Sequence, residues 1–149
     1  MLNTVAILIF CFLVLEDVVL KHIVTVVLKP VGQVSVIDNF FYLTYVENKG
    51  MAFGLLSGGR WLFILFTVVV LAVIFVFFVR SRTVYTPPVV KIAVILIAAG
   101  AVGNLIDRIR LGYVVDYLHF VFFGHSFAVF NFADILVTCG TALLCIYII

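Results

Sequence analysis

The sequence contains four long runs of apolar residues, and one of them, residues 61–79, has no charged side chain in 19 positions. A helix needs about 20 mostly apolar residues to cross the hydrocarbon core of a bilayer. Soluble domains carry about 25% charged and 45–50% apolar residues, whereas this chain has 11% and 66%. These proportions exclude an ordinary soluble domain and predict an integral membrane protein.

The apolar runs predict four helices in a single domain, residues 1–149. We expect an all-α membrane protein with transmembrane helices over residues 2–22, 61–79, 92–111 and 128–149. Pro87 and Pro88 cannot continue a helix, so the third helix is placed after them. The first run lacks a basic start and an A-x-A cleavage pattern, which predicts a retained helix rather than a removable signal peptide. An even number of crossings puts both termini on one side.

Two segments between the helices have a different composition. Residues 33–53 alternate β-branched and aromatic residues between turn signals, which predicts a small extramembrane β element between the first two helices. Residues 113–127 form an aromatic connector that we expect at the membrane surface. Basic residues lie on both sides of the membrane in this arrangement, so counting them does not settle the orientation.

Ionisable residues inside apolar helices are costly, so each requires a partner or a task. Asp17 and Lys21 have the spacing of an intrahelical ion pair, and we expect this pair to neutralise itself at the membrane interface. Asn104, Asp107 and Arg108 form one polar stripe on the third helix. This stripe either holds helices together or contacts a substrate.

Asp116 and Asp134 have no basic residue at helical spacing. Asp134 lies inside the fourth helix, three residues after Asn131, and Asp116 follows the third helix on the same side of the membrane. Two carboxyl groups that converge in a poorly solvated pocket share one proton over a broad pH range, as an aspartic protease requires. The alternative is that Asp116 is an exposed loop acid and that Asp134 pairs with Arg108.

Other classes of function find less support. Cys11, Cys139 and Cys145 lie in apolar runs without metal-ligand spacing, so we expect small core residues and no metal or cofactor. The net charge of +2 is too small to indicate a nucleic-acid partner. A proton-coupled carrier would need acids spread across the membrane. A thiol oxidoreductase would need paired cysteines near water.

Four sequence blocks, taken together and in order, resemble the lipoprotein signal peptidase family, signal peptidase II. The blocks are DVVLK at 17–21, NKGMAFGLL at 48–56, GNLIDRIRLGYVVDY at 103–117 and FNFAD at 130–134. The block AGAVGN and Tyr117 are mild departures from the usual pattern, and the connector lacks a proline often found before the last block. The resemblance covers nearly the whole chain.

The resemblance implies a four-span aspartic endopeptidase of the bacterial inner membrane. Such an enzyme removes signal peptides from diacylglyceryl-modified prolipoproteins by cutting before the lipidated cysteine. It implies that Asp116 and Asp134 are catalytic. It also implies cytoplasmic termini and an active site near the outer face, and we expect a monomer that works among membrane lipids. The implied substrate-binding residues are Asn48, Gly50, Asn104, Arg108 and Asn131, and the implied structural supports are Asp17, Lys21 and Asp107.

Overall fold

A computed structural model describes residues 2–50, 59–80 and 85–149 of the protein. These residues form four helices and one antiparallel sheet with the strand order β1-β2-β3-β4. The elements are α1 (Leu2–Val27), β1 (Gln33–Ile37), β2 (Phe41–Asn48), α2 (Arg60–Arg80), α3 (Pro88–Arg110), β3 (Val114–Phe122), β4 (His125–Phe130) and α4 (Phe132–Ile148).

The expectation of an all-α chain is wrong, because the aromatic connector 113–127 is largely a β-hairpin of β3 and β4. The predicted β element between the first two helices is confirmed as β1 and β2. Its positions 51–53, and residues 51–56 of the second sequence block, lie outside the described residues. Phe123 and Gly124 make the β3–β4 turn, both with positive φ.

The helix ends differ from the predicted ones for identifiable reasons. Helix α3 begins at Pro88, because a proline in the first helical position has the required φ and loses no hydrogen bond. Helix α4 begins at Phe132 rather than at residue 128, because β4 extends to Phe130. Helix α1 continues to Val27, beyond the polar residues that were predicted to end it.

Helix α3 occupies the centre of the helical part and packs against α1, α2 and α4. The α3–α4 contact is close, because a Cβ atom added at Gly100 would collide with the carbonyl oxygen of Ala133. Small residues allow helix backbones to approach in this way. The close contact brings the polar residues of α3 beside the first turn of α4.

The sheet is attached to the end of α1. Val24 and Leu28 pack against Val115 and Tyr117 of β3 in one buried cluster. Successive residues of a strand point to opposite faces, so Asp116 points away from this cluster. The buried end of β3 therefore has a helix against one face and a carboxyl group on the other.

Two described helices, α2 with 21 residues and α3 with 23, are long and apolar enough to cross a membrane, and α4 is a shorter apolar helix. None of the side chains of α2 is buried within the protein. Cys11, Cys139 and Cys145 are free and exposed, so the expectation that they are core residues is wrong. Their positions on exposed helix surfaces fit a protein whose outer surface faces lipid.

Candidate active site

Asp116 is held by two side-chain amides from different parts of the chain. Its Oδ1 accepts a hydrogen bond from Nδ2 of Asn131 at 2.6 Å, and its Oδ2 accepts one from Nδ2 of Asn48 at 2.8 Å. Asn48 is fixed in turn, because its Oδ1 accepts from the backbone N–H of Gly50 at 3.0 Å. Asp116 is only 2% exposed, so the alternative of an exposed loop acid does not describe it.

Asp134 lies in the first turn of α4, where the sequence builds a reciprocal cap. The side chain of Asn131 accepts from the backbone N–H of Asp134, and the side chain of Asp134 accepts from the backbone N–H of Asn131. A carboxylate at a helix N-terminus is also stabilised by the helix dipole. The other oxygen of Asp134 accepts from Nδ2 of Asn104 at 2.8 Å.

Asn131 connects the two carboxyl groups. It exchanges hydrogen bonds with Asp134, and its Nδ2 donates to both Asp116 and Oδ1 of Asn104, the latter at 3.1 Å. Asn131 is completely buried. Because this one buried residue hydrogen-bonds to both acids, it holds β3, which follows α3, next to the first turn of α4.

Both carboxyl groups line one cavity of about 420 Å³. Phe66 and Val70 of α2 form one wall, and Val137 and Thr138 of α4 form another. Asn48, Gly50, Asn104 and Arg108 also line this cavity. The volume is in the range of small-molecule binding sites, and the lining combines an apolar surface with a few polar groups.

A buried ion cluster lies beneath the carboxyl groups. Nζ of Lys21 is 2.8 Å from Oδ2 of Asp17 and 3.2 Å from Oδ2 of Asp107, and it donates to Oδ1 of Asn104 at 2.9 Å. The expected ion pair of Asp17 and Lys21 is present, but it does not neutralise itself alone, because both side chains are buried and α3 supplies a second acid, Asp107. We call Asp17, Lys21 and Asp107 the lysine cluster.

The lysine cluster holds the backbone next to each carboxyl group of the cavity. Oδ2 of Asp107 accepts from the backbone N–H of Val115, directly before Asp116, at 3.1 Å. Oδ1 of Asp17 accepts from the backbone N–H of Ala133, directly before Asp134, at 3.0 Å. Lys21 contacts both Asp17 and Asp107. Its ammonium group therefore links the position of β3 to that of α4.

Gly103 permits this arrangement, because a Cβ atom at this position would overlap the carboxyl group of Asp17. The sequence patterns predicted no role for Gly103. They also predicted no role for Arg60, which donates to the carbonyl oxygens of Arg108 and Ile109 at 2.8 and 2.9 Å. Arg60 thereby caps the end of α3 with a cation, which the helix dipole favours.

Arg108 does not pair with Asp134 within the described residues. Its Nη1 donates to the carbonyl oxygen of Asn104 at 3.3 Å, and its guanidinium lies 5.3 Å from the centre of the Phe63 ring. Its side chain is aimed at the cavity, of which it is a lining residue. The alternative, an ion pair between Arg108 and Asp134, is therefore not observed among the described residues.

The electrostatic environment of Asp116 favours retention of a proton. Burial raises its pKa to about 7, and the negative charge of Asp134 acts in the same direction, while the amides of Asn48 and Asn131 oppose the shift. Interacting carboxyl groups lose their protons in two steps that belong to the pair. Near neutral pH, Asp116 therefore retains its proton in part of the molecules.

All ten residues predicted from the sequence are brought together in this region. Asn48, Gly50, Asn104, Arg108, Asp116 and Asp134 line the cavity, Asn131 joins the two acids, and the lysine cluster lies behind them. The four acids among these residues lie close together rather than along the length of the helices, as a proton-coupled carrier would require. The described part of the chain contains no group of three His, Cys, Asp or Glu side chains placed to hold a metal.

Comparisons with known proteins agree on one family. The family model described as signal peptidase (SPase) II matches residues 9–149. A lipoprotein signal peptidase of Clostridioides difficile (strain 630) is 46% identical over 123 residues, which cover 82% of this chain and 79% of the relative. One from Halothermothrix orenii is 44% identical over 135 residues, covering 91% and 88%.

A solved structure described as a bacterial membrane enzyme, determined by the in meso method at 2.3 Å resolution, superimposes with a TM-score of 0.86. It is 36% identical to this chain, and the match covers 97% of this chain and 87% of the other. A second such structure, at 1.9 Å resolution, gives a TM-score of 0.85 at 36% identity and covers 98% and 93%.

Proposed function

The chain belongs to the signal peptidase II family, as its motifs predicted, and from this we propose that Asp116 and Asp134 are its catalytic dyad. The protein is a lipoprotein signal peptidase, a membrane protease that removes signal peptides from prolipoproteins by cutting before the lipidated cysteine. The observation that supports the dyad most strongly is the buried Asn131, which contacts both carboxyl groups at the wall of one cavity.

In this proposal the dyad activates water. The ionised carboxylate removes a proton from a water molecule as its oxygen attacks the scissile carbonyl carbon, and the protonated carboxyl group donates a hydrogen bond to the carbonyl oxygen. The tetrahedral intermediate then collapses: the C–N bond breaks, and the amine of the lipidated cysteine takes a proton from the dyad. The dyad then holds one proton again, because the proton gained from water replaces the one given to the amine, and the water oxygen stays in the new carboxyl group of the signal peptide.

Two of the residues first assigned to substrate binding are better suited to positioning. Both amide hydrogens of Asn131 are used within the site, and Asn104 spans Lys21 and Asp134. We therefore assign Asn104 and Asn131 to holding the dyad. Asn48, Gly50 and Arg108 face the cavity, and Arg108 has donors left to bind the carbonyl groups of a peptide.

The proposed placement is a multi-pass protein of the bacterial inner membrane, with all four helices crossing it. Both termini then lie in the cytoplasm, and the cavity lies near the outer face beneath the sheet. The outer part of the sheet supports this placement, since a continuous row of ring contacts joins Phe130, Phe127, Phe122, Phe120 and Phe40. A phenylalanine surface of this kind is suited to lipid rather than to water.

The substrate in this proposal carries a diacylglyceryl group that stays in the outer leaflet and delivers the scissile bond to the cavity. Removal of the lipid from a prolipoprotein is expected to lower kcat/KM at least about 100-fold, because each buried methylene contributes roughly 0.8 kcal/mol to partitioning. The measurement compares cleavage of lipidated and unlipidated forms of one precursor by the purified protein, with mass spectrometry to identify the bond. Equal rates would contradict lipid delivery, and cleavage at another bond would contradict the assigned activity.

The rate of cleavage is expected to fall as the pH rises above about 7, the pKa of Asp116. A raised pKa means that the shared proton is held below this pH and lost above it, so the dyad loses its proton donor on the alkaline side. The measurement is kcat/KM for a lipopeptide from about pH 5 to about pH 9, with thermal unfolding followed at each pH as a control for stability. A constant rate across this range would contradict the shared proton.

A further inference from the structure

A second cavity lies at the end of the molecule opposite the dyad. It has a volume of about 330 Å³ and lies among the first turns of α1, the last turns of α2 and the first turns of α3. Representative lining residues are Ala6, Phe10, Ile74, Phe78, Ile95 and Ala98. No residue of the catalytic site contributes to it.

The lining of this cavity consists only of alanine, leucine, isoleucine, valine and phenylalanine. Such a surface offers no hydrogen-bond partner, so water gains little by entering. The cavity adjoins helix surfaces that face lipid, since Phe75, one of its lining residues, is 68% exposed. A flexible hydrocarbon chain therefore fits it better than any polar ligand.

Two cationic side chains lie next to lining residues of this cavity along their helices. Arg80 ends α2, and Lys91 lies four residues before Ile95, on the same face of α3 as this lining residue. The sequence also places Arg82 between these two helices, and it has no acidic residue between Glu47 and Asp107. Cationic side chains beside a hydrocarbon-lined cavity match a ligand with an anionic headgroup and an acyl chain.

We propose that this cavity binds one acyl chain of an anionic phospholipid, whose headgroup phosphate lies beside Lys91 and Arg80. The lipid comes from the leaflet at the end of the protein opposite the dyad. It therefore occupies a site separate from the substrate. It fills the space between α1, α2 and α3 and links the last turn of α2 to α3, the helix that carries Asn104 and Asp107.

The test uses the purified full-length protein and two phospholipids with identical acyl chains, phosphatidylglycerol and phosphatidylcholine. In native mass spectrometry we expect the protein to retain phosphatidylglycerol about fivefold more strongly than phosphatidylcholine. This is the change in affinity that one cation at the membrane surface gives for an anionic lipid. Lys91→Gln should remove this preference, whereas Lys29→Gln at the other end should keep it. Ala6→Phe fills the cavity and should remove the bound lipid, whereas Ala142→Phe on an exposed surface of α4 should not.

A second measurement does not depend on whether Ala6→Phe folds. Ile74→Trp places a fluorophore in the cavity, and phosphatidylglycerol with brominated chains should quench it more than brominated phosphatidylcholine at equal concentration. Trp61, at the other end of α2, serves as the internal control and should be quenched equally by both. Equal retention and equal quenching by the two lipids would overturn the proposal, as would an unchanged adduct in Ala6→Phe. None of these readouts requires cleavage, so their failure leaves the protease assignment intact.

Discussion

Asp116→Asn and Asp134→Asn are each expected to reduce cleavage of a lipidated prolipoprotein by about 10³-fold or more. An asparagine keeps the size of the side chain but can neither accept the proton of the attacking water nor supply the proton that the leaving amine needs. The loss should appear in kcat, because the chemical step is affected. The measurement is the single-turnover rate of the purified variants on a lipopeptide.

The matched control is Asp38→Asn, the same chemical change in the turn between β1 and β2, where Asp38 accepts a hydrogen bond from Ser35. This variant should cleave at the wild-type rate. Thermal unfolding in detergent establishes that each variant is folded. If either Asp116→Asn or Asp134→Asn retained more than about a tenth of the activity, a two-carboxyl mechanism would be excluded, since general acid–base catalysis contributes about 10²-fold or more.

The second large effect is expected from Lys21→Met. Methionine has nearly the volume of lysine but no charge, so Asp17 and Asp107 remain buried with no counter-charge and both backbone anchors weaken. Leaving a buried charge unpaired costs about 3–5 kcal/mol. We expect a large decrease in the unfolding temperature and a loss of cleavage of at least about 100-fold, since the dyad loses its fixed spacing.

The control for this substitution is Lys29→Met, which removes an exposed ion pair with Glu47 and should leave unfolding and cleavage nearly unchanged. The double variant Lys21→Met with Asp107→Asn removes one of the two uncompensated charges. It should unfold at a higher temperature than Lys21→Met alone. If Lys21→Met unfolded and cleaved like the wild type, the lysine cluster would have no positioning role.

Much of the site could be predicted because its residues are paired locally. The i, i+4 spacing of Asp17 and Lys21, and the stripe of Asn104, Asp107 and Arg108, place polar groups on one face of a helix whatever the tertiary structure. Burial in an apolar helix then requires partners for them. Which partners they find depends on the topology: Asp17 reaches the backbone of Ala133 across 116 positions of sequence, and no local pattern contains that contact.

The hairpin of β3 and β4 was missed for a physical reason. A strand with one solvated face alternates apolar and polar residues, but Val114, Val115, Asp116 and Tyr117 are all buried, and Phe120 and Phe122 follow as large apolar residues. The segment thus reads as an aromatic connector. Gly124, which adopts the positive φ that this turn requires, is the residue in the sequence that could have identified it.

The convergence of the two acids is tested most directly by titrating the Asp116 carboxyl group with ¹³C NMR in protein labelled at aspartate. Because the charge of Asp134 contributes to the raised pKa of Asp116, about 7, the transition of Asp116 should lie near neutral pH in the wild type. It should move to lower pH in Asp134→Asn, and Asp38→Asn should leave it in place. An Asp116 transition that is the same with and without the Asp134 charge would contradict a shared proton, and with it the dyad.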